Sequence, residues 1–556
     1  MEGYSTLDLL FVGFMFIGGF GMFVYGMNIM AEGLQKSAGN KMKNLLGVLT
    51  NNRVLGVFVG AAVTAIIQSS SACTVMVVGF VNAGLLNLSQ AVGVIMGANI
   101  GTTVTSWIVS SSEWFGVFKP AKIAPLAIGI GVMLMFLTKN KNKKQLAEII
   151  IGFGLLFIGL EMMSDSIAPF RGLKAFQDAF RVLGSNPILG VLAGAVVTAL
   201  IQSSSASVGI LQMIAIQGLL PWNAAVYIIL GQNIGTCVTA LLSSIGANKT
   251  AKRAAVIHLL FNVIGTVVFA IVCVVFFYFI NVEIGSRIVS ATQISIFHTV
   301  FNISNTILLF GFADKLVALS GKIVKGIDVL EESEGAIALR HLDERILETP
   351  SFAVENAIKE VVHMGELAIL NTKLAMESLM EKNEEKSGKV FKLEKDINKL
   401  DKLITDYLVK ISNVALNEHQ HLIITNLFYT VNDIERISDH AENIAELAKY
   451  YLDNDLTMSE SANKEIQEIS QRTIDTVEYA IEARRTDNAD LVKKVEQNEE
   501  LVDSLEEELR EKHIRRLAGN LCDSATGVVF LDTISNLERI SDHALNIAYY
   551  VKDEAL

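Results

Sequence analysis

Charge is scarce over the first half of this chain. From Leu7 to about Phe312 the sequence is long apolar runs with few Asp, Glu, Lys or Arg. That fits a membrane domain, followed from about Lys315 by a charged, soluble one. Proline is rare as well: six in 556 residues, none after Pro350, which leaves the second half free to form long unbroken helices. Cysteine is limited to Cys73, Cys237, Cys273 and Cys522. Three lie in apolar segments and none has a metal-site spacing, so they read as small buried residues in a reducing context. The opening Met1-Glu2-Gly3-Tyr4 has no basic run. The first apolar stretch, about 24 residues, is too long for a signal-peptide core and reads as a retained span. No nucleophile–base pair, nucleotide loop or redox motif is present, which argues against an enzyme. The net charge of -12 sits mostly in the soluble half and argues against a nucleic-acid partner.

The sequence does contain two near-copies of one segment. Residues 52–72 end in Gln68-Ser69-Ser70-Ser71-Ala72, and residues 186–206 end in Gln202-Ser203-Ser204-Ser205-Ala206. The offset of 134 residues holds without a gap through Gly97-Ala98-Asn99-Ile100-Gly101-Thr102 and Gly231-Gln232-Asn233-Ile234-Gly235-Thr236. About half the positions match over roughly sixty residues. Upstream, Gly19-Phe20-Gly21 and Gly26 return as Gly152-Phe153-Gly154 and Gly159.

Hydropathy places spans near 8–33, 90–110, 120–138, 146–168, 223–244, 254–281 and 289–312. Segments 53–86 and 187–220 are too long for one span and break at the Gln-Ser-Ser-Ser tetrapeptide. Each is expected to be a re-entrant hairpin of two half-helices, lining a cavity. With the N-terminus outside, one side then receives Lys36, Lys41, Lys43, Arg53, Lys139, Lys141, Lys143 and Lys144. It also receives Lys249, Lys252, Arg253, Lys315, Lys322 and Lys325. The other side receives only Lys119, Arg171, Lys174, Arg181 and Arg287. The basic side is the cytoplasmic one. The first repeat (about 8–138) makes an odd number of crossings, so its copy (about 146–281) must be inverted; 289–312 is an extra helix. Residues 1–320 form the transmembrane domain, 321–344 a linker and 345–556 a cytoplasmic helical domain.

A hairpin tip at mid-membrane exposes carbonyls at the end of one half-helix and N–H groups at the start of the next, suiting a cation and an anion. The hydroxyls of Ser69, Ser70, Ser71, Ser203, Ser204 and Ser205 can donate to phosphate-like oxygens or ligate Na⁺. Gln68, Gln202, Asn99, Thr102, Thr103, Asn233 and Thr236 add neutral polar groups. The bland alternative, back-bonding within a helix, is common for an isolated Ser and poor for three beside a Gln, twice. Gly56, Gly60, Gly190 and Gly194 read as packing positions. Intramembrane acids are scarce, which favours Na⁺ over a proton relay. His258 to Asn262 and His298 to Asn302 share a spacing; Asn262 and Asn302 read as interhelical hydrogen bonding or a second layer around the site.

These residues resemble the type II sodium–phosphate cotransporter family, whose mark is a duplicated Gln-Ser-Ser-Ser hairpin followed by Gly-x-Asn-Ile-Gly-Thr. The resemblance covers residues 8–312. It implies sodium-driven uptake of inorganic phosphate by alternating access, with the tetrapeptides as functional groups. Animal electrogenic members carry an acid after the first Asn-Ile-Gly-Thr stretch; Glu113 is the nearest acid here. Sodium would be the coupling ion. The alternatives are a sodium-coupled carrier of another small anion, such as arsenate, sulfate or a carboxylate, and a membrane-tethered phosphate sensor.

The tail carries its own duplication. Glu435-Arg436-Ile437-Ser438-Asp439-His440-Ala441 returns unchanged as Glu538-Arg539-Ile540-Ser541-Asp542-His543-Ala544. Apolar residues recur at three- and four-residue intervals, and two copies suggest two three-helix bundles. Glu435 and Asp439, and likewise Glu538 and Asp542, share a helix face, with Asn443 and Asn546 a turn further on. Such oxygen-rich faces can bind a divalent or trivalent metal; the bland reading pairs the acids with Arg436 and Arg539. The tail (345–556) resembles PhoU-like domains, six-helix regulators of bacterial phosphate uptake with Glu-x-x-x-Asp metal motifs. The fold expected is thus all-α: a polytopic membrane domain of two inverted repeats with re-entrant hairpins, then a cytoplasmic PhoU-like domain, in a bacterial inner membrane. Partners expected are phosphate, sodium, membrane lipid, a cytoplasmic phosphate-signalling protein and a second copy of the chain.

Overall fold

The computed structural model describes residues 6–47, 52–114, 119–138, 140–280, 282–326, 342–414, 416–519 and 521–555. Residues Met1–Tyr4, Lys139 and most of the expected linker (327–341) lie outside them. Among the described residues the regular elements are helical, apart from one bridge between Pro221 and Ile288. The chain divides into two units, Met1–Val329 and Leu330–Leu556.

The first unit opens with α1 (Thr6–Gly47). A hairpin of α2 (Arg53–Ile67) and α3 (Ser70–Asn82) follows, then α4 (Leu88–Gly101), α5 (Thr103–Ser110) and α6 (Pro120–Leu137). The order then repeats with α7 (Lys141–Ile167), α8 (Lys174–Ser185), the hairpin α9 (Pro187–Ile201) and α10 (Ser204–Ile216), α11 (Trp222–Gly235), α12 (Cys237–Ser243) and α13 (Lys249–Val275). The short α14 (Val282–Ser286), α15 (Ala291–Phe310) and α16 (Ala313–Ile323) complete the unit. Among the described residues six helices are long and apolar enough to cross a membrane, or up to eight if two bent pairs each count as one span. Those pairs are α8–α9, bent by 109°, and α15–α16, bent by 82°. Hydropathy alone did not show α8 and α16. Both carry charges, which suits a helix lying along an interface rather than crossing it. Nor did it show the interruptions at Thr102 and Thr236, which split two spans into α4–α5 and α11–α12.

Each hairpin returns to the end it started from. Arg53, at the start of α2, donates to Ser89 (2.8 Å), just beyond the end of α3. Gly184, just before α9, presses on Asn223, just after α10: a Cβ there would sit 2.3 Å from its Oδ1. The hairpin arms pack so tightly on the following spans that only glycine fits. A Cβ on Gly97 would lie 2.0 Å from the Val57 carbonyl, and one on Gly231 1.9 Å from that of Val191. Gly60 and Gly194 face carbonyls at 2.1 and 2.0 Å. These four are packing positions, at equivalent places in the two copies.

The equivalent helices α1 and α7 run antiparallel. A Cβ on Gly26 would meet Leu156 N at 2.4 Å, and one on Gly159 would meet Phe23 N at 2.3 Å. Gly19 faces the Gly159 carbonyl while Gly26 faces that of Gly152. Because Gly19 corresponds to Gly152 and Gly26 to Gly159, the contact maps onto itself, as a two-fold interface does.

Polar contacts sort into two ends. At one, Lys36 pairs with Glu148 (3.0 Å), Arg53 with Asp314, Asn248 N with Asn82 (2.8 Å), and Arg253 with the Val324 carbonyl (3.2 Å). At the other, Glu113 accepts from Ala291 N (2.8 Å), Gln217 donates to the Ser164 carbonyl (2.9 Å), and Trp222 N to the Arg287 carbonyl (2.9 Å). The first end holds the Lys- and Arg-rich loops among the described residues.

Among the described residues the second unit has six long helices: α17 (Pro350–Glu381), α18 (Glu384–Ser412), α19 (Glu418–Asp453), α20 (Glu460–Thr486), α21 (Ala489–Ala518) and α22 (Ser524–Ala555). They form two three-helix sets joined along α17–α20 and α19–α22. Apolar residues at i, i+3 and i+7, such as Ile434, Ile437 and Ala441 or Leu537, Ile540 and Ala544, are wholly buried. Arg484 forks onto Glu554 (2.7 and 2.5 Å), both buried, which ties α20 to α22.

Candidate functional site

The two tetrapeptides break their helices in the same way. Gln68 and Gln202 adopt left-handed conformations, φ 58° and 57°, and close α2 and α9. Ser69 and Ser203 turn extended and accept from Ala72 N (3.1 Å) and Ala206 N (3.2 Å), capping α3 and α10. A left-handed non-glycine residue is strained, and it recurs at the same place in both copies.

The structure brings the tips together. Ser70 Oγ lies 3.4 Å from Ser204 Oγ, both buried. Thr105 bridges them: its hydroxyl donates to Gln68 Oε1 (2.9 Å) and accepts from Ser205 Oγ (3.3 Å). Thr105 was not singled out from the sequence. Its signal was there, because the repeat identity continues through Thr105 and Thr239. The copies differ in detail. Gln68 is half-buried and also donates to the Ala65 carbonyl, whereas Gln202 lies exposed. Ser71 is half-buried and Ser205 buried.

The surrounding candidates bond mostly within their own helices. Asn99 donates to the Ile95 carbonyl (2.9 Å), Thr102 to Ala98 (3.0 Å), Thr103 to Ile100 (2.8 Å) and Thr236 to Gln232 (3.0 Å). For these four the back-bonding alternative describes the geometry, and their oxygens keep acceptor capacity. Asn233 reaches across to Asn302 Oδ1 (2.7 Å), so Asn302 stands directly behind a candidate residue. Asn262 bonds Cys237 Sγ (3.3 Å) and the His258 carbonyl (3.1 Å). Gln212, also missed, ties α10 to the Ser106 carbonyl (2.9 Å) and Ser295 Oγ (2.9 Å), bracing the second hairpin against α5 and α15. Its repeat counterpart is Val78, so the duplication could not reveal it.

In the soluble unit the expected metal residues separate. Glu538 and Asp542 on α22 face α21, where Glu499 and Asp503 were not anticipated. Oxygens of Glu499, Asp503 and Asp542 lie within 4.8 Å of one another. Burial first, then Asp503 and Asp542, pushes the Glu499 carboxyl up to about 7. On the other copy, burial and then Asp439 raise Glu435, and burial followed by Glu442, Asp439 and Glu435 raises Glu394 of α18. Crowded carboxylates that resist ionisation are a fitting donor set for a cation. Arg436 also lies 3.3 Å from Asp439, and Arg539 3.5 Å from Asp542, so the arginine pairing is present as well. Asn443 and Asn546 do not join the acids. Eight residues beyond Glu435 or Glu538, they have rotated off that face and bond Asn536 (3.3 Å) and Asp433 (3.3 Å) at the α19–α22 seam. There His440 and His543 stack at 5.8 Å.

Paired broken helices within a bundle of apolar spans suit a polytopic membrane transporter. The chain matches the Na+/Pi-cotransporter family over residues 22–165 and 170–311, and the PhoU domain over 361–448 and 466–551. It belongs to the Na+/Pi-cotransporter family, with a C-terminal PhoU domain, and is a multi-pass phosphate transporter. YjbB of Escherichia coli (strain K12), named as an inorganic phosphate export protein, is 24% identical over 536 residues, 96% of each chain. Sodium-dependent phosphate transport protein 2A of Rattus norvegicus is 36% identical over 103 residues, 18% of this chain and 15% of that one. The PhoU structure from Pseudomonas aeruginosa covers 36% of this chain and 97% of its own, with 24% identity and a TM-score of 0.35.

Proposed function

We propose that this protein couples sodium to the movement of inorganic phosphate across a bacterial inner membrane by alternating access. One inverted repeat rocks against the other, and the cytoplasmic tail regulates transport. The meeting of Ser70 and Ser204 at 3.4 Å carries the reading. It supports one composite pocket made by two helix N-termini and the hydroxyls of Ser69, Ser70, Ser71, Ser203, Ser204 and Ser205, with Gln68 and Gln202. Hydroxyls and helix ends hold a tetrahedral oxyanion without a fixed charge. Co-bound sodium offsets the cost of bringing a dianion to mid-membrane. Asn99, Thr102, Thr103, Thr105, Asn233 and Thr236 offer oxygens to that ion, and Asn302 stands behind Asn233. In the tail, Glu435, Asp439, Glu538 and Asp542, joined by Glu394, Glu499 and Asp503, would hold a divalent or trivalent metal that links the helices of each bundle. Asn443 and Asn546 belong to the seam instead.

The test is phosphate uptake by proteoliposomes with and without an inward sodium gradient. Uptake that follows the gradient upholds the coupling; equal uptake in both removes it. Uptake into the cell is the direction we infer from an inward sodium gradient. Export is a second reading, favoured by the naming of YjbB, which aligns along nearly the whole of both chains. A symporter runs either way according to its gradients, so loading phosphate inside the vesicles and reversing the sodium gradient separates a reversible carrier from a dedicated exporter. Competition by arsenate and sulfate defines the cargo.

A further inference from the structure

The span α15 exposes an apolar row, Val300, Ile303 and Ile307, and then bends by 82° into α16, a helix of 11 residues. A helix turned so far from the span before it runs along the bilayer rather than through it. It is held at both ends. Arg53 of the first hairpin bonds Asp314 at its start, and Arg253 of α13 donates to the Val324 carbonyl (3.2 Å) and the Gly326 carbonyl at its finish. Ala313, Leu316 and Ser320 are buried. Their spacing of three and four puts them on one face, which packs against the protein. Asp314 is the only acid in α16, so its bond to Arg53 leaves the helix's remaining charge positive.

The outer side of α16 carries two rows. Phe312, Leu319 and Ile323 are 46%, 38% and 55% exposed, and helical geometry places them within about 40° of one another. Lys315 and Lys322 form a second exposed row about 70° further round, away from the buried face. Lys325 adds an exposed ammonium just past the helix. Lys315 Nζ lies 4.9 Å over the Phe312 ring, so its stem follows the apolar row. The apolar row continues the exposed row of α15 and belongs with it among acyl chains. Lysines along its edge then stand at the depth of the headgroups, where their charge meets phosphate. A neutral headgroup offers them no net attraction.

We propose that α16 lies in the membrane interface and binds an anionic phospholipid, its phosphate held by Lys315, Lys322 and Lys325 and its chains against Phe312, Leu319 and Ile323. The proposal needs only that the unit spans a bilayer; neither sodium coupling nor the direction of transport enters it. The purified full-length protein, in neutral detergent, is titrated with phosphatidylglycerol and separately with phosphatidylcholine of the same chains, and bound lipids are counted by native mass spectrometry. Phosphatidylglycerol should saturate at the lower concentration. Lys315→Gln and Lys322→Gln should each raise its half-saturation about fivefold and leave that of phosphatidylcholine unchanged. Lys315→Arg and Lys322→Arg should bind as the wild type does. Lys143→Gln with Lys144→Gln removes two exposed charges at the same end of the unit, on α7, and should leave phosphatidylglycerol binding as it was. These side chains are exposed, so the fold tolerates the changes. Equal affinity of the wild type for the two lipids, an unchanged half-saturation in both α16 glutamine variants, or an equal loss from the α7 pair overturns the site.

Discussion

In the membrane unit the two copies of the repeat converge, and Ser70 meets Ser204. In the soluble unit each copy completes a cluster of its own, Glu435 against α18 and Glu538 against α21. Duplication has thus brought the two tips together in the first case and left the two acidic faces apart in the second. The geometry of the interface decides which. In the membrane unit the helix breaks of the two copies lie against each other. In the tail the stacked His440 and His543 meet instead, and the acids face α18 and α21. A duplicated motif therefore predicts a composite site only when its two copies meet.

The sharpest way to break this contrast is by mutation at the tips. With a single shared pocket, Ser70→Ala and Ser204→Ala should each lower sodium-dependent phosphate uptake about 10- to 100-fold, the weight of a hydrogen bond to a charged group. The double variant should fall little further; multiplying losses would mean two pockets. The next largest effect is structural. Gly97→Ala and Gly231→Ala both force a Cβ into a backbone carbonyl and should each cost about 1–3 kcal/mol or more. That cost is read as a lower melting temperature of the detergent-solubilised protein, with similar losses in the two copies.

The soluble unit should behave in the opposite way to the tips. With two independent clusters, Glu435→Ala and Glu538→Ala should change metal-dependent melting additively, within about 0.5 kcal/mol. Proton linkage gives a finer measure. Glu499 is pushed up from an ordinary 4.5 to about 7, so the folded chain keeps a proton that the unfolded chain releases. Its contribution is complete below 4.5 and is lost as pH rises towards 7. In chelator, melting temperature should decline over that window, and Glu499→Gln should flatten the decline. The smallest effect concerns the left-handed residues. Gln68→Gly and Gln202→Gly should each relieve about 1 kcal/mol of backbone strain. Gln68→Gly gives up its bond to Thr105 in exchange, so Gln202→Gly should be the more stabilising of the two.

Much of this was readable in advance because repeats and hydropathy are periodic signals. The tetrapeptide breaks, the return of each hairpin to its own side and the two bundles all follow from spacing and charge. Thr105 escaped because a lone threonine within a span looks like a helix-bonded one, and only its place between Gln68 and Ser205 gives it weight. Gln212 escaped because its partner position is Val78, so symmetry gave no hint. Glu499 and Asp503 escaped because their helix does not repeat the heptapeptide. Asn443 and Asn546 were placed with the acids by counting turns, which ignores the drift of a helical face over two turns.

The glycine contact between α1 and α7 has one more consequence. Because it reads the same from either partner, it is the contact two separate half-length polypeptides would make if they entered the bilayer in opposite senses. The short connection after α6 is then a tether and not a structural joint. Two fragments made by severing the chain there and expressed together keep this buried seam intact, and the halves should find each other without it.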